Sequence, residues 1–126
     1  MREIKFKAEY KNKIYEVIAI FFDINQVQLK RENCLSIDVA MIDCKLLDFT
    51  GLQDVTGRDI YEGDIVDVGK VMQRLCIIEF KNAKFVLKFQ DDFEVGSPTD
   101  IDMFIDRIRI IGNIYENPEL LKYDEE

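Results

Sequence analysis

The sequence predicts a mainly β protein: an N-terminal β-hairpin region packed on a C-terminal small bent sheet or SH3-like barrel meander, with a short C-terminal helix. Three observations carry this reading. Apolar and charged residues alternate with period two near the N-terminus and again at 35–41. β-Branched and aromatic runs recur between turn-forming clusters along the rest of the chain. Three glycines punctuate the polar stretch 50–66, which ends in Ile65-Val66, so it reads as turns feeding a strand.

Taken in order, Ile4, Phe6, Ala8 and Tyr10 alternate with Glu3, Lys5, Lys7 and Glu9, the pattern of a half-buried strand. Lys11-Asn12-Lys13 is a turn, and Ile14 to Phe22 is apolar enough to return as a more buried partner. Val27 and Leu29 mark a third strand. Leu35, Ile37, Val39 and Met41 mark a fourth, where the β-branched residues argue against helix. From Leu46 the pattern becomes a meander: Leu46 to Phe49, Ile65 to Val68, Val71 to Phe80, Phe85 to Phe89 after the loop Lys81 to Lys84, and Ile105 to Tyr115. Five short-linked strands hide their edges most economically by strong bending or closure. Gly112 inside the last strand marks a bulge or bend. Asn117-Pro118-Glu119 reads as the N-cap and first turn of a helix whose Leu120 and Leu121 pack back on the sheet. A single helical turn is expected near Thr99 to Phe104.

A chain of 126 residues suits one compact unit or one unit with a small appendage. Residues 1–45 hold eight Lys/Arg and seven Asp/Glu, whereas 46–126 hold nine against eighteen. The change in charge balance places a boundary near residue 45, dividing an N-terminal β-rich region (1–45) from a C-terminal barrel-like domain (46–126). No apolar run approaches the roughly 18 residues that span a bilayer, and no signal-peptide pattern opens the chain, so a cytoplasmic location without membrane association is expected. There is no histidine, which removes the commonest general base and the usual partner of cysteine at zinc. Cys34, Cys44 and Cys76 are odd in number and lack paired spacing, so they read as small apolar residues in strands.

Leu46-Leu47-Asp48-Phe49-Thr50-Gly51-Leu52, then Gly57-Arg58-Asp59-Ile60-Tyr61-Glu62-Gly63-Asp64-Ile65-Val66, and late in the chain Ile111-Gly112-Asn113-Ile114-Tyr115-Glu116-Asn117-Pro118-Glu119-Leu120-Leu121 resemble the YopX family of bacteriophage and prophage proteins. The opening Met1 to Phe6 fits the same family, while residues 23–45 and 90–106 carry no part of the resemblance. The resemblance implies a phage-associated origin, a β-rich fold and self-association, as a trimer; it implies no established activity. Its turn residues Gly51, Gly57, Tyr61, Glu62, Gly63, Asp64, Gly112 and Asn113 are read as structural, with Tyr61 placed to cover the Gly63 turn.

No catalytic constellation emerges. Asp91, Asp92, Glu94, Asp100, Asp102 and Asp106 form the densest acidic group, and oxygen ligands of that kind suit calcium or magnesium. Their spacing lacks the register of a calcium loop, so a solvated acidic loop is favoured over a metal-dependent hydrolase. Glu62 and Asp64 flank a turn glycine and are read as backbone caps. No glycine-rich phosphate loop is present, no cofactor is expected, and Phe80, Phe85, Phe89, Phe93 and Phe104 are read as core. Arg2, Lys5, Lys7, Lys11 and Lys13 form the only basic concentration, interleaved with Glu3 and Glu9, which disfavours nucleic acid. The favoured function is a non-catalytic protein-interaction module whose acidic surface, Asp91, Asp92, Glu94, Asp100 and Asp102 included, meets a basic partner. A nucleic-acid-associated regulator using the basic hairpin and a metal-dependent hydrolase are the alternatives.

Overall fold

Period-two alternation becomes two antiparallel sheets in the computed structural model, which describes residues 5–32, 35–69, 75–81, 83–89 and 99–121. Strands β1 (Phe6–Tyr10) and β2 (Lys13–Phe21) pair from Lys7↔Glu16 to Tyr10↔Lys13, leaving Lys11 and Asn12 as a two-residue loop. Both loop residues have positive φ (54° and 67°), the mirror-image turn whose twist matches the strands it joins. The Asn12 N–H donates to Glu9 Oε2 at 2.8 Å, which helps to hold it there. Strands β3 (Gln26–Lys30) and β4 (Ser36–Ala40) continue the meander, and Met41–Asp43 forms one 3-10 turn.

The strand expected to open the C-terminal meander, β5 (Lys45–Gln53), is hydrogen-bonded to β1 through Lys7↔Leu47 and Ala8↔Leu46. Its other edge takes the short β6 (Asp59–Tyr61), so the first sheet runs β4-β3-β2-β1-β5-β6 across residue 45. β5 is also longer than its apolar pattern implied. Gly51, read as a turn residue, lies inside the strand with φ 89°, where the register shifts between Phe49 and Gln53. Buried Thr50 secures this bulge: its hydroxyl donates to Ile60 O (2.8 Å) and accepts from the Leu52 N–H (3.1 Å).

The second sheet contains β7 (Asp64–Asp67), β8 (Leu75–Lys81), β9 (Lys84–Phe89), β10 (Thr99–Asp100) and β11 (Arg109–Asn113), in the order β10-β9-β8-β7-β11. It is open: β10 and β11 occupy opposite edges, so closure into a barrel is not the solution adopted. The register shifts between Ile110 and Gly112, where the strand meets the C-terminal turn. The expected short C-terminal helix is, among the described residues, the 3-10 turn Pro118–Leu121. Asn117 does not cap it from in front; its Oδ1 accepts the Asn113 N–H at 3.1 Å, reaching back to the strand. A Cβ on Gly112 would lie 2.6 Å from that oxygen, so glycine is required for the turn to close on β11.

Each sheet supports its own core. Ala8, Val27, Leu29 and Val39 are buried in the first, joined by half-buried Tyr10, Tyr15 and Leu46. The larger cluster spans the second sheet and includes Ile60, Val66, Cys76, Ile78, Leu87 and Ile108. Burying each of these aliphatic chains contributes about 1.5–3 kcal/mol before chain entropy is charged against it. Of the aromatics expected in the core, Phe85 is buried and Phe104 half-buried, but Phe80 is 48% exposed. It lies one residue before the end of β8 and packs on Phe85, ring centroids 4.8 Å apart. The Phe89 side chain and Phe93 lie outside the described residues.

Candidate functional site

Where the sheets meet, segments distant in sequence enclose an open cleft of about 860 Å³. β1 and β2 supply Lys7, Tyr15 and Glu16, β6 and its approach supply Arg58, Asp59 and Tyr61, β7 supplies Asp64, and β11 and the loop after it supply Asn113 and Glu116. A volume of this order suits a small molecule.

The turn from Tyr61 to Asp64 builds one wall. Gly63 has φ 90°, its N–H donates to Ile78 O (2.8 Å), and its carbonyl accepts the Ile114 N–H (3.0 Å), so the two glycine polar groups tie β8 to the chain after β11. The ring covering this turn is Tyr115, whose Cε2 would lie 3.1 Å from a Cβ at Gly63. Tyr61, expected in that role, packs instead on Phe49 with centroids 5.4 Å apart. Lys7 Nζ sits 4.5 Å above the Tyr61 ring, and Lys5 Nζ lies 4.6 Å from the Phe49 centroid. Lys5 also pairs with Asp59 at 2.7 Å. Arg2 lies outside the described residues, while Lys11 rests over its own turn at Tyr10.

The two carboxyls of the turn are spent on backbone groups. Asp64 Oδ2 accepts the Tyr61 N–H at 2.8 Å, and Glu62 Oε1 accepts the Asp48 N–H at 3.5 Å. Burial pushes the Asp64 carboxyl up to about 6, against the pull of that hydrogen bond and of Lys7 and Arg58. Burial likewise raises the Tyr61 and Tyr115 phenols. Asp59 moves the other way, lowered by the hydrogen bonds from Lys5 and Gln53.

A residue missed by sequence reasoning joins the two sheets. Asp54 is 6% exposed and accepts four hydrogen bonds: from the Thr56 N–H, Thr56 hydroxyl and Arg58 N–H at Oδ1 (2.9, 2.7 and 3.0 Å), and from the Ile110 N–H at Oδ2 (2.9 Å). Desolvation raises its pKa, but these donors outweigh it and bring it to about 2. The signal was present: Asp54-Val55-Thr56-Gly57 is an Asx-turn pattern, and Gly57 takes φ 91° there. Only the bond to Ile110, fifty-six residues away, had no local trace.

Comparison with known proteins now bears on these positions. A family model described as YopX protein matches residues 4–122. The chain belongs to the YopX family. Two solved structures share its fold: protein EF1440 from Enterococcus faecalis (24% identity, TM-score 0.64) and protein yopX from Bacillus subtilis (20% identity, TM-score 0.59). Each alignment covers 97% of this chain and all of the other, and at these identities the likeness speaks for fold alone. A search of curated proteins finds no match. In this YopX fold, Tyr61, Asp64, Gly112 and Asn113 line the cleft, and Gly63 lies between the first two in its wall. Gly51 and Gly57 stand apart, in the β5 bulge and the β5–β6 turn.

The acidic surface lies outside the described residues: Asp91, Asp92 and Glu94, and the side chains of Asp100 and Asp102, are not among them. Among the described residues no group of three His, Cys, Asp or Glu side chains is arranged to hold a metal ion. No helix among them is long and apolar enough to cross a membrane. Cys76 is buried, and burial together with Glu9 and Asp43 raises the Cys44 thiol, away from the low pKa of a reactive thiolate. Cys34 is outside the described residues.

A different surface stands out by exposure. Phe22 (71%), Ile24 (57%) and Ile42 (91%) project at one end of the first sheet. The Gln26↔Ala40 pair and the hydrogen bond from Met41 N–H to Asn25 O (2.9 Å) bring the β2–β3 turn and the 3-10 turn together there. Exposed Asp23 and Asp43 flank these apolar side chains.

Proposed function

We propose that the YopX-family chain is a non-catalytic protein-interaction module, phage- or prophage-encoded and acting in the bacterial cytoplasm. The observation that carries this reading is the exposed apolar group Phe22, Ile24 and Ile42 at the end of the first sheet. Large apolar side chains clustered at a surface lose free energy in water that a partner recovers, and an apolar centre with a polar rim is the usual anatomy of such a site. The rim residues Asp23 and Asp43 and the formal charge of −8 favour a basic partner, met through electrostatic steering. The attachment surface therefore lies in the N-terminal sheet, with the acidic C-terminal half contributing long-range field.

Affinity capture from phage-infected or prophage-carrying cells with the wild type and a Phe22→Ser/Ile42→Ser variant tests the reading. A near-stoichiometric, nuclease-resistant protein held by the wild type and lost by the variant is expected, with an unchanged melting temperature. Identical retention by both proteins overturns it. Sedimentation of the two proteins alone tells whether the captured partner is a further copy of this chain, as the trimer implied by family resemblance requires.

A further inference from the structure

The cleft at the sheet junction contains polar groups that the fold places there but does not use. Four carboxylates line it, and each already has a partner. Asp59 pairs with Lys5 and accepts from Gln53 (3.0 Å), Glu116 accepts from the Ile14 N–H (2.8 Å) and Asn113 (3.3 Å), Asp64 accepts from the Tyr61 N–H, and Glu16 faces Lys30 at 3.9 Å. The cations divide differently. Lys7 and Arg58 line the same cleft, yet among the described residues neither has a carboxylate within 4 Å. Lys7 is fixed by its position over the Tyr61 ring, so its ammonium is oriented without a direct ion pair and acts on Asp59 and Asp64 only through space. Tyr61 is 6% exposed, and its hydroxyl makes no hydrogen bond to a described residue, which is unusual for a buried polar group.

The geometry points to a binding site for a small organic oxyanion, a phosphate monoester or a carboxylate, held by Lys7 and Arg58 with the Tyr61 hydroxyl as a further donor. A guanidinium presents a planar fork that an oxyanion meets with two hydrogen bonds, and an ammonium adds a point charge. The ligand supplies the direct ion-pair partner that these two cations lack among the described residues, and the apolar part of the molecule faces Phe6, Val17 and Ile110 in the same cleft. This site is separate from the apolar end of the first sheet, and its ligand is independent of any protein partner.

Amide-resolved NMR titration of the full chain with phenyl phosphate, benzoate and benzyl alcohol tests the site. Saturable shifts at Tyr61, Asp64, Gly112 and Asn113 are expected with at least one of the two anions and not with the alcohol. The preferred anion identifies the phosphoryl or carboxylate source. Lys7→Met and Arg58→Met should each weaken that anion about tenfold, the value of one charge-assisted contact. Tyr61→Phe should weaken it a few-fold while leaving the fold unchanged, as its amide spectrum will report. Three outcomes overturn the inference: no saturable shift with either anion, equal shifts with benzyl alcohol, or unchanged affinity in the Lys7→Met/Arg58→Met double variant.

Discussion

Replacing Asp54 by alanine should remove more stability than any other single polar substitution in the described structure. The methyl group leaves three backbone N–H groups without their acceptor. Those of Thr56 and Arg58 lie in an exposed turn and regain water, costing about 0.5–1 kcal/mol each. The Ile110 N–H sits between the sheets and costs roughly 1–3 kcal/mol when unsatisfied. Together the loss is about 3 kcal/mol, which with a urea slope of roughly 1.5 kcal/mol/M lowers the unfolding midpoint by about 2 M. The charge is separately visible. Asp54 moves from an ordinary 3.8 to about 2, so its folded pKa is depressed and its contribution is present above pH 4 and lost as pH falls through 2. Near the surface, solvent screening reduces this portion to about 1–2 kcal/mol. Urea unfolding of wild type and Asp54→Ala should therefore differ most at pH 7 and less at pH 2. Asp54→Asn, which keeps one acceptor oxygen, should fall between them. An Asp54→Ala midpoint within about 0.3 M of the wild type at pH 7 would refute the reasoning, because four short hydrogen bonds would then contribute nothing net.

Gly57 and Gly63 separate backbone strain from crowding. Both have φ near 90°, but a Cβ at Gly57 meets nothing within 4 Å, whereas one at Gly63 meets Tyr115 at 3.1 Å. Gly57→Ala should cost about 1 kcal/mol and Gly63→Val about 3, read from urea midpoints, and equal costs would mean that Tyr115 yields freely. Asp64 reverses the usual carboxylate behaviour. Its pKa is raised to about 6, so the folded state holds a proton that the unfolded chain releases, and its contribution declines as pH rises from about 4 through 6. Asp64→Asn keeps an acceptor for the Tyr61 N–H and should be about 2 kcal/mol more stable than wild type at pH 8. Parallel pH profiles for the two proteins would exclude Asp64 as the titrating group.

The strands were legible where alternation is strict and burial one-sided. Phe6–Tyr10, Gln26–Lys30 and Ser36–Ala40 all carry that signature, and a one-residue slip in any of them would turn its core face to water. β6 and β10 were not legible, because three residues and two residues are too few to show a period. Neither was the partnership of β5 with β1, which is chosen by the fit of Lys7 and Ala8 to Leu47 and Leu46 and leaves no local mark. The open sheet follows from that exchange: once β5 is taken by β1, β7 has β8 and β11 as its neighbours. The Gly63 and Gly112 turns were visible as glycines in polar and strand contexts, but the cleft between them was not. Five separated segments build it, and its cations Lys7 and Arg58, which have no direct ion pair among the described residues, look in sequence like any solvated charge.

The order of strands in the second sheet also sets a timetable for the chain. β7, β8 and β9 can pair as soon as they are made, yet the other edge of β7 waits for β11, the last of the described strands in chain order. Until then Asp54 holds only its turn, with no Ile110 N–H to donate to it, and Val55 lacks the Ile108 carbonyl that its N–H meets at 3.0 Å. A nascent or prematurely terminated chain thus carries an unpaired strand edge beside incompletely covered apolar residues, the combination that invites association with the wrong neighbour. Arrival of β11 is the event that seals this part of the fold.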